Sequence, residues 1–84
     1  MKIQEHVRDF ILESFYVSDP AELSDDVSLI DSGIVDSTGM LEVILFIEGA
    51  YGIQVLDAET VPENLETISR IAAYVAGKQA AVAV

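Results

Sequence analysis

The chain contains no cysteine, and it has one histidine, two prolines and four basic residues among 84. The missing cysteines exclude a disulfide, and the lone histidine excludes a structural metal site built from histidine and cysteine ligands. Long uncharged apolar runs are also missing, because Glu42 and Glu48 interrupt the stretch 40–56, which leaves less than the roughly 18 residues of a membrane span. Stability must therefore come from apolar packing in one small domain, which 51% hydrophobic residues allow.

Positive charge is confined to the two ends of the chain. The net charge is −11, positions 9–69 contain no lysine or arginine, and every acidic residue except Glu5 lies in that stretch. Such a surface repels nucleic acid and anionic lipid and attracts basic patches on other proteins. A simpler alternative is that the charge only keeps an apolar sequence soluble. The early acids Glu5 and Asp9 do not fit a signal peptide, so we expect a soluble, cytoplasmic monomer.

The hydrophobic spacing predicts an all-α fold, a small four-helix bundle of three longer helices and one short helix, with a long loop between the first two. Apolar residues mark one face of a first helix over 2–17 and of a last helix that Asn64 caps and Gly77 ends. Capping residues at 36–38 predict the start of a second helix that ends at Tyr51-Gly52. Asp57 is expected to cap a one-turn helix over 57–60 that closes before Pro62.

One domain over 1–78 and a flexible tail over 79–84 are expected from this pattern. The loop over 18–36 contains apolar residues that predict contacts with the core, namely Leu23, Val27, Leu29, Ile30, Ile34 and Val35. The second helix is too apolar for a single buried stripe, which favours an apolar surface that awaits a partner. Its core residues are predicted to be Val43, Ile44 and Ile47.

Groups that could perform catalysis are scarce. His6 lies on the charged side of the first helix, which makes a Ser/His/Asp site improbable. Neither a GxGxxG pattern nor a phosphate-binding loop occurs, and the loop carboxylates Asp25, Asp26, Asp31 and Asp36 do not match EF-hand spacing. We therefore expect no enzyme and no dedicated metal site.

Ser37 stands out because it lies where the long loop meets the apolar second helix. For an isolated Asp-Ser pair, a helix cap would be the simplest interpretation. Residues 29–38, LIDSGIVDST, resemble the phosphopantetheine attachment region of acyl and peptidyl carrier proteins, in which a glycine-containing loop leads into an Asp-Ser pair. The resemblance covers nearly the whole chain and continues through Glu42, Ile47-Glu48, Tyr51-Gly52-Ile53, Thr67-Ile68 and Ile71-Ala72-Ala73-Tyr74-Val75.

The resemblance implies that a phosphopantetheinyl transferase attaches 4'-phosphopantetheine to Ser37, and that Asp36 helps to present the serine to that enzyme and its metal. A phosphate at a helix N-terminus is favoured by the unpaired N–H groups and the helix dipole. The arm would hold an acyl or aminoacyl group as a thioester, which fits a chain without its own thiol. The protein would then deliver this cargo to partner enzymes.

By the same resemblance, an outward face of the second helix docks loading ligases and downstream transferases or synthases through their basic patches; its residues are Thr38, Leu41, Glu42, Leu45 and Glu48. Spacing alone leaves open that Leu41 and Leu45 are ordinary core residues.

Three features depart from the pattern common in fatty-acid carriers: Thr38, Gly39 and the pair Gly49-Ala50. They favour a free-standing carrier of a specialised pathway, loaded with an amino acid or short acyl group by an ATP-dependent ligase. A fatty-acid or polyketide carrier is the alternative within the family. An alternative of another class is an acidic helical adaptor without a prosthetic group.

Overall fold

The protein folds into four α-helices without a strand over residues 2–82, the part of the chain that the computed structural model describes. The helices are α1 Lys2–Ser14, α2 Ser37–Tyr51, α3 Pro62–Leu65 and α4 Ile68–Val82. Two 3-10 turns, Pro20–Glu22 and Asp57–Glu59, lie in the connections. α1 packs most extensively against α4 and also contacts α2. The predicted all-α bundle of three longer helices and one short helix is therefore confirmed.

One face of each longer helix supplies the core. The buried hydrophobic residues of the longer helices are Val7 and Ile11 of α1, Val43 and Ile47 of α2, and Ile68, Ile71, Ala72 and Val75 of α4. Ile44 is only partly buried and packs at the edge of this cluster. The core predicted for α2 is thus correct at positions 43 and 47, whereas position 44 borders the surface. None of the helices within residues 2–82 is long and apolar enough to cross a membrane.

The first loop, residues 18–36, enters the core at three points. Leu23, Leu29 and Val35 are almost completely buried, as predicted. Val27 and Ile34 pack against the core with part of their surface, whereas Ile30 is exposed. Five of the six apolar residues predicted to hold this loop to the core are therefore buried or packed against it, and Ile30 is the most exposed of the six.

Hydrogen bonds also fix the backbone of the first loop. The Arg8 guanidinium of α1 donates to the Leu23 carbonyl and forms an ion pair with Asp25. The Ser69 N–H donates to the Asp25 carbonyl at 2.9 Å, and the Leu29 N–H donates to the Glu66 carbonyl at the same distance. The loop is thus attached to α1 on one side and to the start of α4 on the other.

One predicted boundary in the first half of the chain shifts. α1 ends at Ser14 and not at Val17, so three residues separate the helix from the Ser18-Asp19-Pro20 segment. Asp19 instead begins the next turn, because its Oδ1 accepts the Ala21 N–H at 3.0 Å. Proline at the first position of a helical turn is compatible with this role, since its missing N–H needs no partner there.

The one-turn helix predicted over 57–60 is present as the 3-10 turn Asp57–Glu59 and ends before Pro62 as expected, but its N-cap is Leu56 and not Asp57. Pro62 in addition begins α3, so the prediction that Asn64 caps the last helix is wrong. Asn64 lies inside α3, and its Nδ2 donates to the Glu59 carbonyl at 2.9 Å. The side chain at the start of α4 is Thr67, whose Oγ1 accepts the Arg70 N–H at 3.1 Å.

α4 continues past the predicted end at Gly77 and is helical through Val82. Glycine is compatible with this continuation, because it weakens a helix interior by only about 1 kcal/mol relative to alanine. Residues 83 and 84 of the predicted tail lie outside the described residues. The flexibility of the tail stays a prediction, as does the domain boundary at 78.

Candidate functional site

Asp36 caps the N-terminus of α2. Its backbone is extended, with φ −92° and ψ −177°, and its Oδ1 accepts the Gly39 N–H at 2.6 Å. The Asp36 carbonyl also accepts the Met40 N–H at 2.9 Å, which closes the first turn. Because Asp36 performs the capping, the helix does not need Ser37 for this purpose.

Ser37 is the first residue of α2, and it is exposed. Among residues 2–82, nothing forms a hydrogen bond with its hydroxyl group. The first turn of α2 contains no acidic residue, so the only carboxylate directly at this helix end is the Asp36 cap. An accessible hydroxyl therefore stands where the helix dipole favours an attached phosphate, although the charge of Asp36 opposes part of that effect.

A tight turn in the first loop delivers the chain to Ser37. Gly33 has φ +81°, a conformation that disfavours residues with a Cβ, and its N–H donates to the Ile30 carbonyl at 3.0 Å. The Val35 N–H then donates to the Leu29 carbonyl at 3.0 Å. With Leu29 and Val35 both buried, the chain leaves the core immediately before the exposed Asp36 and Ser37.

Gly39 lies against the end of α1. A Cβ at this position would come within 2.5 Å of Phe15 Cε1 and 3.0 Å of Asp36 Oδ1. The glycine is thus explained by packing between α1 and α2. The presence of Gly39, which departs from the pattern of fatty-acid carriers, therefore does not by itself indicate which cargo the protein carries. No sequence signal links positions 15 and 39, so their contact was not predicted.

The α2 outer face, defined as Thr38, Leu41, Glu42 and Leu45, is exposed to solvent. Leu41 keeps 60% and Leu45 67% of its surface exposed, and both polar residues are exposed as well. The alternative that Leu41 and Leu45 belong to the core is therefore wrong. Two leucines flanked by an acid match what a partner with apolar and basic groups requires.

Glu48 lies at the margin of the α2 outer face and differs from its other residues. Its side chain is half-buried, and its Oε2 accepts the Val55 N–H at 2.9 Å. This bond connects α2 to the segment after Gly52. Part of the acceptor capacity of Glu48 is thus used within the fold.

An apolar pocket of about 340 Å³ opens between the first loop, α2 and α3. Its apolar lining comes from Ile30, Met40, Val61, Pro62 and Leu65. Met40 lies one helical turn after Ser37, so the pocket is close to the proposed site along α2. The sequence did not reveal it, because such residues are indistinguishable from core by spacing.

A polar cluster fixes the second 3-10 turn on α4. Glu59 Oε1 accepts hydrogen bonds from the Leu56 N–H, the Tyr74 hydroxyl and Lys78 Nζ, at 3.0, 3.0 and 2.9 Å. The bond from Lys78, followed by that from Leu56, lowers the pKa of Glu59. Burial first, then the bond to Glu59, raises the pKa of Tyr74 to about 12. The carboxylate therefore holds the connection in place while it is ionised.

Together, the fold and the site define a small helical domain that presents one free serine at a helix start, beside an acidic and apolar face. No family model matches the sequence. Over 57 residues the chain is 33% identical to the D-alanyl carrier protein of Abiotrophia defectiva. The aligned region covers 68% of this chain and 72% of that protein. The chain therefore belongs to the acyl and peptidyl carrier protein family, as the resemblance of residues 29–38 predicted. Its relative is a stand-alone carrier, and members of the family generally carry phosphopantetheine.

Proposed function

We propose that this protein carries an aminoacyl group on a 4'-phosphopantetheine arm attached to Ser37 Oγ, and that it has no catalytic activity of its own. The observation that carries the proposal is the Ser37 hydroxyl, which is exposed at the first position of α2 while Asp36 performs the capping. When bound, the group supplies a terminal thiol for the cargo, which a chain without cysteine cannot supply. A place in the cytoplasm belongs to the same proposal.

The residues around Ser37 fit an attached phosphate. Within residues 2–82 the Ser37 and Thr38 N–H groups have no hydrogen-bond acceptor, because the Asp36 carboxylate accepts from Gly39 instead. The helix end stabilises a nearby anion by about 0.3–1 kcal/mol at an exposed position. Asp36 opposes this in part, so we assign it to holding the first turn and presenting Ser37 to the transferase and its metal.

The α2 outer face is the proposed docking surface, with Glu48 at its margin. Its apolar part, Leu41 and Leu45, would enter a hollow on the partner, and Glu42 would face basic groups at the rim. The partners proposed for it are a phosphopantetheinyl transferase, a loading ligase and the enzymes that take the cargo.

The printed name of the relative from Abiotrophia defectiva refers to a D-alanyl cargo. D-alanine is therefore the first amino acid to test with an ATP-dependent ligase. The apolar pocket beside Met40 supports a second candidate, a short fatty-acid or polyketide acyl group. Loading the modified protein with amino-acid ligases and with acyl donors in parallel, followed by intact-mass measurement, separates the two.

The attachment itself is tested by incubation with coenzyme A and a broad-specificity transferase. We expect wild-type protein to gain the mass of one phosphopantetheine group, and Ser37→Ala to gain none. Ser18→Ala is the matched control, since Ser18 is an exposed serine of the preceding loop and lies away from the turn that leads to Ser37 along the chain, and it should be modified like wild type. No gain for wild type would instead favour the adaptor alternative.

A further inference from the structure

The first turn of α2 is backed by the ring of Phe15. Phe15 follows the last residue of α1, and its N–H still donates to the Ile11 carbonyl at 2.9 Å. Its ring meets Phe10 edge-on, with centroids 6.3 Å apart, and Phe10 stacks on Phe46 of α2 at 4.3 Å. The Phe10 ring thus holds Phe15 in place relative to α2, because Phe10 contacts α2 at Phe46, further along the helix.

Gly39 is the point of α2 on which Phe15 rests. The position is buried, and a Cβ there would stand 2.5 Å from Phe15 Cε1 and 3.1 Å from Phe15 Cζ. The same residue donates its N–H to the Asp36 cap at 2.6 Å. The ring therefore closes over the residue that completes the capped turn in which Ser37 lies.

We infer that Phe15, seated on Gly39, is a positioning residue that orders the first turn of α2 and so fixes the Ser37 hydroxyl for modification. This inference rests on the proposed attachment at Ser37. In that step Ser37 Oγ forms a bond to the phosphorus of the phosphopantetheine unit of coenzyme A. The diphosphate bond of coenzyme A breaks, adenosine 3',5'-bisphosphate leaves, and the hydroxyl proton passes to a base of the transferase.

The physical reason is the tendency of a helix end to fray. Ser37 is exposed and has no hydrogen bond from its side chain within residues 2–82, so its place depends on the backbone of this turn. A transferase that meets an unordered turn must order it during the reaction, which slows the chemical step and leaves docking intact. Two residues of the α2 outer face, Thr38 and Glu42, line a shallow hollow together with Phe15, whereas the two leucines of that face do not. Binding of the transferase through these leucines should therefore survive a change at Phe15.

The test is the steady-state kinetics of coenzyme A transfer to wild type, Phe15→Ala, Gly39→Ala and the double variant. We expect kcat to fall about tenfold in each single variant, with KM within about twofold of wild type. In the double variant the Phe15 ring is absent, so the Cβ of the alanine at position 39 has no ring to clash with. Its kcat should therefore be no lower than that of Phe15→Ala, so that the two losses are not additive.

Val55→Ala is the control, because Val55 is also a half-buried side chain packed against the core but lies in the segment after α2, outside the aromatic contacts; it should keep the kcat of wild type. Urea unfolding establishes that each variant is folded, and Phe15→Leu replaces Phe15→Ala should the latter not fold. An unchanged kcat in Phe15→Ala, an equal loss in Val55→Ala, or strictly additive losses would each overturn this inference and leave the proposed attachment at Ser37 standing. A wild-type protein without any gain in mass would overturn the proposed attachment as well.

Discussion

The first loop and the α2 outer face differ in how deeply their apolar side chains are buried, and the irregular segment is the more buried of the two. The loop is mostly irregular, yet Leu23, Leu29 and Val35 are almost completely buried in it. α2 is a regular helix, yet Leu41 and Leu45 stand in solvent. Irregular backbone near a core needs partners for its polar groups, and this loop obtains them from α1, Glu66 and Ser69.

The comparison shows that burial, and not secondary structure, separates the leucines that hold the fold from those that a partner can use. A side chain that stays in solvent contributes little to stability, and two neighbouring exposed leucines form a patch that favours the docking role proposed for it. Leu29 and Leu45 are a matched pair for this idea, since they are the same residue type in opposite environments. The first two predictions below each test one member of that pair.

The largest effect is expected for Leu29→Ala in the first loop. Removal of a completely buried leucine side chain leaves a cavity, and the free energy of unfolding should fall by about 2–5 kcal/mol. Urea unfolding followed by circular dichroism measures this loss. A loss of less than about 1 kcal/mol in the free energy of unfolding would mean that the loop is not part of the core, and would contradict the comparison for the first loop.

Leu45→Ala should show the reverse pattern. With 67% of its surface exposed, its removal should change the free energy of unfolding by less than about 0.5 kcal/mol. Transfer of phosphopantetheine to Ser37 should nevertheless lose about tenfold in kcat/KM, chiefly through KM, because a docking contact is lost. Tyr16→Ala is the control, since Tyr16 is an exposed aromatic residue outside α2, and it should leave both quantities unchanged. Equal kcat/KM values for wild type and Leu45→Ala would remove the docking role.

A smaller effect is expected for Glu42→Gln on the same face. Loss of one rim charge should lower kcat/KM for the transferase about two- to threefold at low salt and leave it unchanged at high salt, where the charge is screened. Glu63→Gln removes an exposed carboxylate of α3 and should have no comparable effect. The same decrease in both variants would show that net charge, and not the α2 outer face, governs the encounter.

The smallest effect concerns the pH dependence of the second connection. Because its folded-state pKa is lowered, Glu59 adds stability above its ordinary pKa of 4.5, and that contribution disappears as pH falls through the lowered value. Tyr74 behaves conversely, and stability should decrease as pH rises from about 10 towards its raised pKa of about 12. Glu59→Gln should flatten the acid dependence of the thermal midpoint, whereas Glu63→Gln should not. The same decrease of the thermal midpoint at acid pH in wild type and Glu59→Gln would contradict the bonding assigned to Glu59.

The helices could be predicted from sequence because their apolar spacing is regular, and Asp36 and Gly52 mark the two ends of α2 chemically. Boundaries failed where a residue has two compatible roles. Pro62 both stops one helix and starts another, and Asn64 can cap a helix or bond a carbonyl from within one. Local sequence does not decide between such roles, because the tertiary partner does.

The candidate site also has features that the sequence predicts and others that only the structure shows. Ser37 could be found from the family pattern in residues 29–38, but its freedom from capping became visible only once Asp36 was seen to bond Gly39. Exposure of Leu41 and Leu45 depends on which side of α2 the other helices cover. The contact between Phe15 and Gly39 joins residues far apart in sequence, so no spacing rule could have predicted it.

The most direct measurement of the central claim is fragmentation mass spectrometry of wild-type protein after reaction with coenzyme A and a transferase. Fragments that end on either side of Ser37 distinguish it from the neighbouring hydroxyls of Ser32 and Thr38. The account predicts one phosphopantetheine group, located on Ser37 alone. A group on Ser32 or Thr38, or no group at all, would contradict it.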